Sequence, residues 1–358
     1  MERRENMDKM QAAVLFGPND LRIVDADIPE PKAEEVLVKV KACAICGTDP
    51  EIIAHGWPNC PPYGSYIPGH EFAGEVVALG HGVTEFKIGD RVVAEPHKGC
   101  GKCINCIRGL YTTCLNYGKI EKGHRHYGFT VNGGYAEYVA VHVNCLHRIP
   151  DTVSYEEGTI ATTAGTALYG LERAGWVQPG DVVAVIGPGP IGLMAAQLAK
   201  VFGASKVILV GTRQSRLEVG KKIGADILIN IKEEDLKERI NEITGGVGVD
   251  LAVEASGSQA GAVQAVDITK KSGRISLIGM YKDDVKIDLN HVVQYNMTMA
   301  GGKAEGMWCI ERVIPLMADG RINVKPLITH EFALKDINEA VKTFVERIGG
   351  ALKVVVKP

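Results

Sequence analysis

From Asp181 onward the chain alternates short apolar runs with helix-length amphipathic ones, and no other feature restricts its fold as strongly. The runs DVVAVIG, KVILVG, DILIN, DLAVEA and RISLIG read as strands, and MTMAGG supplies a sixth. Between them, segments near residues 191–202, 213–223, 236–243 and 260–271 read as helices. Alternation of this length predicts a doubly wound α/β unit, a parallel sheet with right-handed crossovers. The region before it has another texture. EVLVKVKACAIC, HEFAGEVVALG, GDRVVAEP and GGYAEYVAVHV are short, β-rich and punctuated by Gly and Pro. Such runs predict a barrel or sandwich. The tail from about Lys303 holds helix and strand segments that periodicity alone does not place.

Composition sets the outer limits. A chain of 358 residues, 46% hydrophobic and 23% charged, is long enough for two domains with separate cores. A net charge of -3 gives no reason to expect nucleic acid or an anionic membrane as partner. No apolar run reaches the roughly 18 residues needed to span a bilayer. Residues 1–11 are charged and lack an apolar centre, so a short disordered extension is expected there rather than a secretory signal, with folded sequence starting near Ala12. Nine cysteines without such a signal point to metal or thiol chemistry in a reducing compartment, hence a cytoplasmic protein, rather than to disulfides.

The first strand of the alternating region runs into Gly187-Pro188-Gly189-Pro190-Ile191-Gly192 and then a helical stretch. In that setting Gly187 allows the tight turn, Gly189 lets the backbone approach a pyrophosphate, and Gly192 lets helix and strand pack closely. The helix N-terminus adds unpaired N–H groups and partial positive charge. Glycine-rich turns are common, and it is the strand–turn–helix context that makes this one a dinucleotide candidate. The second strand ends at Gly211, where NAD sites usually place an acidic ribose acceptor. Gly211 leaves room for a 2′-phosphate, Thr212 follows, and Arg213 and Arg216 offer guanidinium partners, which favours NADP(H) over NAD(H). The alternative is that both arginines are solvated residues at a helix start, but cations in a first turn oppose the helix dipole, which favours a functional role. On these grounds Gly211→Asp is the expected switch toward NAD.

Two cysteine-containing sets suggest metal. Cys100, Cys103, Cys106 and Cys114 fall within fifteen residues, a spacing that closes a tetrahedral thiolate shell and leaves no open position. An iron–sulfur cluster could use the same ligands, but nothing else in the chain suggests electron transfer. The second set, Cys46 with His70 and Glu71, is scattered. A thiolate, an imidazole and a carboxylate could form a shell with a fourth position open to water or substrate. Singly, each has a plainer explanation: a buried Cys, a satisfied His, a surface Glu.

Taken together, AICGTD, PGHEFAGEV, GDRVVAEP, the four-cysteine loop, GPGPIGLMAAQLAK and INVKPLITHEF resemble the zinc-dependent medium-chain dehydrogenase/reductase family, particularly its sorbitol, threonine and sugar dehydrogenase branch. The resemblance covers nearly the whole chain from Ala12. It implies a GroES-like β-barrel catalytic domain carrying both zincs over 12–162, a Rossmann cofactor domain over 163–300, and a segment 301–358 returning to the first domain. It also implies hydride transfer between an alcohol and its ketone or aldehyde, with a secondary, polyol or sugar-like alcohol preferred, and a homotetramer or homodimer. Residue by residue, Cys46, His70 and Glu71 fall at the catalytic-zinc positions, the four clustered cysteines at the structural-zinc lobe, and Thr48 at the start of a proton relay. Asp49 falls beside the zinc cysteine, Gly279 falls among the cofactor-binding positions, and Gly301 to Lys303 fall where the cofactor meets the nicotinamide-side loop. The chain departs from the family at Thr162, where many members carry a Cys or acidic residue, and at Glu51, where many carry a relay histidine. A zinc-free quinone or enone reductase on the same fold, or a binding protein retaining the fold without activity, are the alternatives. The first lacks the AICGTD and PGHE motifs; only Thr162 encourages the second.

Overall fold

The computed structural model describes residues 9–306 and 308–358, which form two compact units. One comprises the chain to Thr162 together with Ile328–Pro358, and the other comprises Thr163–Leu327.

In the first unit, β1 (Lys9–Gly17) and β2 (Asp20–Asp27) form an antiparallel hairpin. Lys9–Gln11 thus lie in a strand, ahead of the expected start at Ala12, and the expectation for residues 1–8 lies outside the described residues. The principal sheet is organised on β3 (Glu35–Ala44). A turn into α1 (Asp49–His55) is followed by β4 (Glu71–Leu79) and β5 (Arg91–Ala94). A lobe then carries β6 (His97–Lys98), α2 (Ile104–Ile107) and β7 (Arg125–His126). The chain returns to the sheet as β8 (Tyr138–His142) and β9 (Leu146–Arg148), and leaves through α3 (Tyr155–Thr159). Only the second half of GGYAEYVAVHV is strand. Its first half makes single backbone contacts, among them Ala13 N–H to Tyr135 O at 2.8 Å. The helix α3 starts at a capping box, Ser154 with Glu157, which satisfies two N-terminal amides reciprocally.

In the second unit, α4 (Ala161–Arg173), which begins at the junction, leads into six strands. These are β10 (Val182–Ile186), β11 (Lys206–Gly211), β12 (Ile227–Asn230), β13 (Val249–Glu254), β14 (Thr269–Leu277) and β15 (Thr298–Gly301). All pair in parallel in the order β12-β11-β10-β13-β14-β15, the doubly wound order whose reversal point lies beside the first strand. The connections include α5 (Pro190–Val201), α6 (Gln214–Lys222), α7 (Leu236–Thr244), α8 (Gln259–Ile268) and α9 (Leu289–Gln294). Strands near the middle are buried on both faces, which is why they read as unbroken apolar runs rather than alternating ones. The expected helix over 260–271 ends earlier, at Ile268, because Thr269 pairs with Val249 and opens β14.

The return to the first unit starts at Ile328, not at residue 301. Residues 301–327, with α10 (Cys309–Ala318), belong to the second unit. Arg312 pairs there with Glu172 at 2.7 Å, and Gln197 brackets Asn323 through both its backbone N–H and its carbonyl. Then β16 (Ile328–Ala333), α11 (Ile337–Glu346) and β17 (Lys353–Lys357) complete the first unit's sheet in the order β16-β17-β3-β4-β5-β9, with β8 on β3. Among the described residues no helix is long and apolar enough to cross a membrane.

Candidate functional site

The end of β3 and the start of β4 create the mixed cluster. Ala44 is paired with Glu71 across the two strands, so Cys46, two residues past Ala44, emerges beside the carboxylate. His70 reaches the same place because Gly69 turns the chain with φ +91°. A Cβ on Gly69 would lie 2.8 Å from the Tyr135 ring, so no other residue fits without displacement. The Cys46 sulfur, a His70 ring nitrogen and a Glu71 oxygen all lie within 4.8 Å of one another, and His70 and Glu71 are buried.

The groups around them hold this arrangement. Fully buried Asp49 accepts the Cys46 N–H at 2.7 Å and the Tyr135 hydroxyl at 2.9 Å, both on Oδ2. Its Oδ1 lies 3.4 Å from His70 Nδ1, which leaves Nε2 as the natural ligand atom of the ring. Burial opposes a charged His70, but Asp49 and Cys46 outweigh it and hold the pKa well above the usual histidine value. The Thr48 hydroxyl donates to Cys46 Sγ at 3.3 Å and is half-buried. Glu51 is exposed and lies 3.9 Å from His55, one turn along α1, and Thr162 is buried as the second residue of α4.

Sequence reasoning missed Lys353. It opens β17 with its side chain 4% exposed, and its ammonium donates to Glu71 Oε2. Burial opposes the charge, yet Glu71 and Cys46 raise its pKa above the ordinary lysine value. The signal was there: a lysine inside the apolar run ALKVVV is expensive to bury unless paired. A carboxylate has two oxygens, so Glu71 can serve Lys353 with one and a metal with the other. The donor set suits zinc: a thiol, an imidazole and a carboxylate, buried and close, with protons that a divalent cation would displace.

The four cysteines of the lobe also converge, all four sulfurs within 4.8 Å. Sγ–Sγ separations are 3.4 Å for Cys103–Cys106 and 3.9 Å for both Cys100–Cys106 and Cys103–Cys114. Four thiolates at about 2.3 Å from one ion would stand about 3.8 Å apart. Backbone amides of Cys103 and Asn116 donate to the sulfurs of Cys100 and Cys114, each at 3.4 Å, and the Asn116 side-chain amide donates to Cys100 at 3.3 Å. That amide pulls the Cys100 thiol down to about 6, while burial pushes Cys106 up to about 12. No cysteine in the described chain forms a disulfide.

In the second unit, every dinucleotide candidate stands at the C-terminal end of a parallel strand, where open α/β sheets bind ligands. Gly187 follows β10 with φ +101°, and its N–H donates to Val210 at 2.9 Å. A Cβ on Gly187 would meet the Ser256 backbone at 2.8 Å, and one on Gly192 would meet Gly187 O at 2.0 Å. Both glycines are thus required by packing. Gly189 is different: a Cβ there meets nothing within 4 Å. Packing within the protein does not demand glycine there, whereas a ligand approaching the backbone closely would. Pro190 is the first residue of α5, and the amides of Ile191 and Gly192 fall in the first turn, where no intrahelical acceptor exists. Gly211 closes β11, Thr212 is exposed, and Arg213 and Arg216 are half-buried at the start of α6. Gly279 follows β14, donating its N–H to Glu254 O at 3.0 Å, and Lys303 follows β15. Burial lowers the Lys303 pKa, with Glu305 opposing. A second group escaped sequence reasoning here. Glu254, fully buried at the end of β13, accepts Ser256 N–H at 2.8 Å, Gly257 N–H at 3.2 Å and the Tyr281 hydroxyl at 2.7 Å. It ties two of the loops at this end of the sheet together.

Comparison with known proteins agrees with both halves. Residues 32–151 match the alcohol dehydrogenase GroES-like domain, and residues 190–318 match the zinc-binding dehydrogenase domain. The chain is 32% identical to sorbitol dehydrogenase of Bacillus subtilis over 98% of its own length and 97% of the relative's. It is 36% identical to L-threonine 3-dehydrogenase of Pyrococcus horikoshii, covering 91% and 92%. Among solved structures, an Escherichia coli oxidoreductase/dehydrogenase of unknown specificity superimposes with TM-score 0.91 at 30% identity, covering 98% of this chain and 99% of the other. A zinc-binding dehydrogenase from Sinorhizobium meliloti 1021, bound to NADP, gives TM-score 0.88 at 29% identity with the same coverage. A GroES-like unit, a Rossmann unit and similarity along nearly the full length place this chain in the zinc-type medium-chain alcohol dehydrogenase family, in its sorbitol- and threonine-dehydrogenase-like branch.

Proposed function

We propose that this enzyme interconverts a secondary alcohol, of polyol or sugar type, and its ketone, using NADP(H) in preference to NAD(H), with one catalytic and one structural zinc per subunit. The observation that carries the reading is the convergence of Cys46, His70 and Glu71 on one buried point, with the Thr48 hydroxyl 3.3 Å from the Cys46 sulfur. Three protein donors leave a tetrahedral ion one position for substrate, whereas the four-thiol lobe leaves none. Zinc bound at the open site supplies Lewis acidity toward the substrate oxygen, and the nicotinamide supplies or takes the hydride.

The chain's own residues do the rest. Thr48 is placed to exchange a proton with a substrate oxygen, being short, half-buried and fixed by its bond to the sulfur. Asp49 holds the Cys46 backbone and orients the His70 ring. Lys353 offsets one negative charge in a pocket that holds a thiol and two carboxylates. In the second unit, the open space over Gly189 and the first-turn amides of α5 take the pyrophosphate, and Arg213 takes the 2′-phosphate. The polyol or sugar preference is supported by the relatives, which include sorbitol dehydrogenases and a D-arabitol-phosphate dehydrogenase. With nine thiols, the enzyme is suited to a reducing compartment such as the cytoplasm.

The test is zinc analysis of the purified protein together with a screen of both coenzymes against polyols, sugars, amino alcohols and simple ketones. The reading expects two zincs per chain, turnover of at least one polyol or sugar, and a 10- to 100-fold kcat/KM preference for NADP(H), about the worth of one good arginine contact. Turnover confined to NAD(H) would remove the coenzyme assignment, and turnover without zinc would remove the mechanism.

A further inference from the structure

The glycine that ends β11 is explained by a neighbour rather than by a coenzyme. Gly211 is buried, and its backbone is not in the left-handed region, so conformation does not demand glycine. Space does. A Cβ built on Gly211 lies 2.6 Å from both Cγ and Cδ of Pro188, and 3.4 Å from Leu217 Cδ2. Pro188 is itself buried between two glycines of the phosphate turn. Its ring cannot swing aside as a flexible side chain would, and the Gly187–Val210 hydrogen bond at 2.9 Å pins the turn against β11.

We propose that Pro188 is a coenzyme-specificity residue: its ring fills the volume that any side chain at 211 would need and so excludes an acidic ribose acceptor there. Reading of the adenine ribose then passes to the first side chains beyond the strand, Thr212 and Arg213. This deepens the NADP(H) reading and rests on it for the direction of preference, but the packing claim stands on the geometry alone. It also revises the simplest switch suggested by the sequence. Gly211→Asp alone drives a carboxylate-bearing side chain into the proline ring, so it should damage the site before it changes preference.

Two measurements on the full-length protein test this. The first uses no coenzyme: thermal midpoints for Gly211→Ala, Pro188→Ala and the double variant. Gly211→Ala is expected to lower the midpoint by roughly 5 °C with Pro188 present and by about 1 °C or less in the Pro188→Ala background, a non-additive pair. Equal effects in the two backgrounds, or no effect in either, overturn the proposal. The second is titration of NADPH and NADH by fluorescence. Gly211→Asp alone should weaken both coenzymes by roughly tenfold or more without inverting their order, or should fail to accumulate as folded protein until Pro188→Ala is added. Pro188→Ala with Gly211→Asp should favour NADH by at least about tenfold. Inversion by Gly211→Asp alone would overturn the assignment of Pro188. Should the unaltered enzyme bind NADH more tightly, the NADP(H) reading fails, while the melting cycle still decides the packing claim.

Discussion

The two candidate metal sites of the first unit use the same element chemistry and are built in opposite ways. The lobe gathers four sulfurs from fifteen consecutive residues, and its amides turn back onto its own thiols. The mixed cluster draws on the end of β3, the turn before β4 and the first residue of β17, with Cys46 and Lys353 more than three hundred residues apart. A local site depends on short spacing and little else, so it can fold around its ion and leave the sheet unchanged. A site assembled by strand pairing inherits the geometry of the sheet, and its charges are balanced by partners such as Lys353 and Asp49. On the proposed reading, the first design would give a closed, stabilising shell and the second an open one.

Removing Glu71 should separate the two most sharply. Glu71→Ala strips a donor from the mixed cluster and leaves Lys353 charged and buried without its partner. Activity should fall to background, one zinc per chain should remain, and stability should drop by about 3–5 kcal/mol, the usual range for breaking a buried pair. Zinc analysis and denaturant unfolding on one preparation check all three, and two retained zincs would show that Glu71 is not a ligand. Cys103→Ser should do the reverse. The lobe loses its zinc, soluble yield or thermal stability falls, and kcat of the protein that remains folded stays within about threefold of the parent. A kcat loss of a hundredfold at unchanged stability would erase the division between closed and open sites.

Lys353→Met sharpens the comparison further, because its effect should depend on metal. With zinc present, the ion offsets the Glu71 charge and the loss should be modest. After chelation, Glu71 is left buried and uncompensated, so the stripped variant should melt well below the stripped parent, and zinc should restore most of the difference. A deficit of the same size in both states would mean that Lys353 merely packs.

The smallest effect is in pH. In the stripped protein burial lowers the His70 pKa, and Asp49 and Cys46 more than reverse this, so the net shift is upward. A raised basic pKa contributes stability that is full below the unfolded value of about 6.5 and is lost as pH rises through the folded value. Zinc competes with that proton, so occupancy of the mixed cluster should fall with decreasing pH, with a midpoint below the metal-free pKa by an amount set by zinc affinity and concentration. Asp49→Asn removes the largest group raising it, and half-occupancy should move to lower pH while the lobe is unchanged. A shift at both sites would point to a general loss of folding instead.

The same contrast explains what the sequence made legible. The six parallel strands and the connecting helices α5 to α8 came from local periodicity, and the lobe came from local spacing. The glycine turn could be assigned residue by residue because it lies within one strand–turn–helix unit. Pairing between distant strands leaves no such trace. Lys353 had to be seen against Glu71, and Tyr135 against Asp49, before either had a role. The half of GGYAEYVAVHV that is not strand, and the return at Ile328 rather than residue 301, were decided by contacts across the fold. Gly211 shows the reverse hazard. It reads from sequence as room for a phosphate, and in the structure it is first of all room for Pro188.

The most direct test of the central claim is anomalous diffraction at the zinc edge from crystals of the protein as purified. Two peaks are predicted per chain. One should be nearly equidistant from the sulfurs of Cys100, Cys103, Cys106 and Cys114, at about 2.3 Å, and the other should lie among Cys46 Sγ, His70 Nε2 and a Glu71 oxygen. A single peak in the lobe, with Glu71 held by Lys353 alone in fully active crystals, would contradict it.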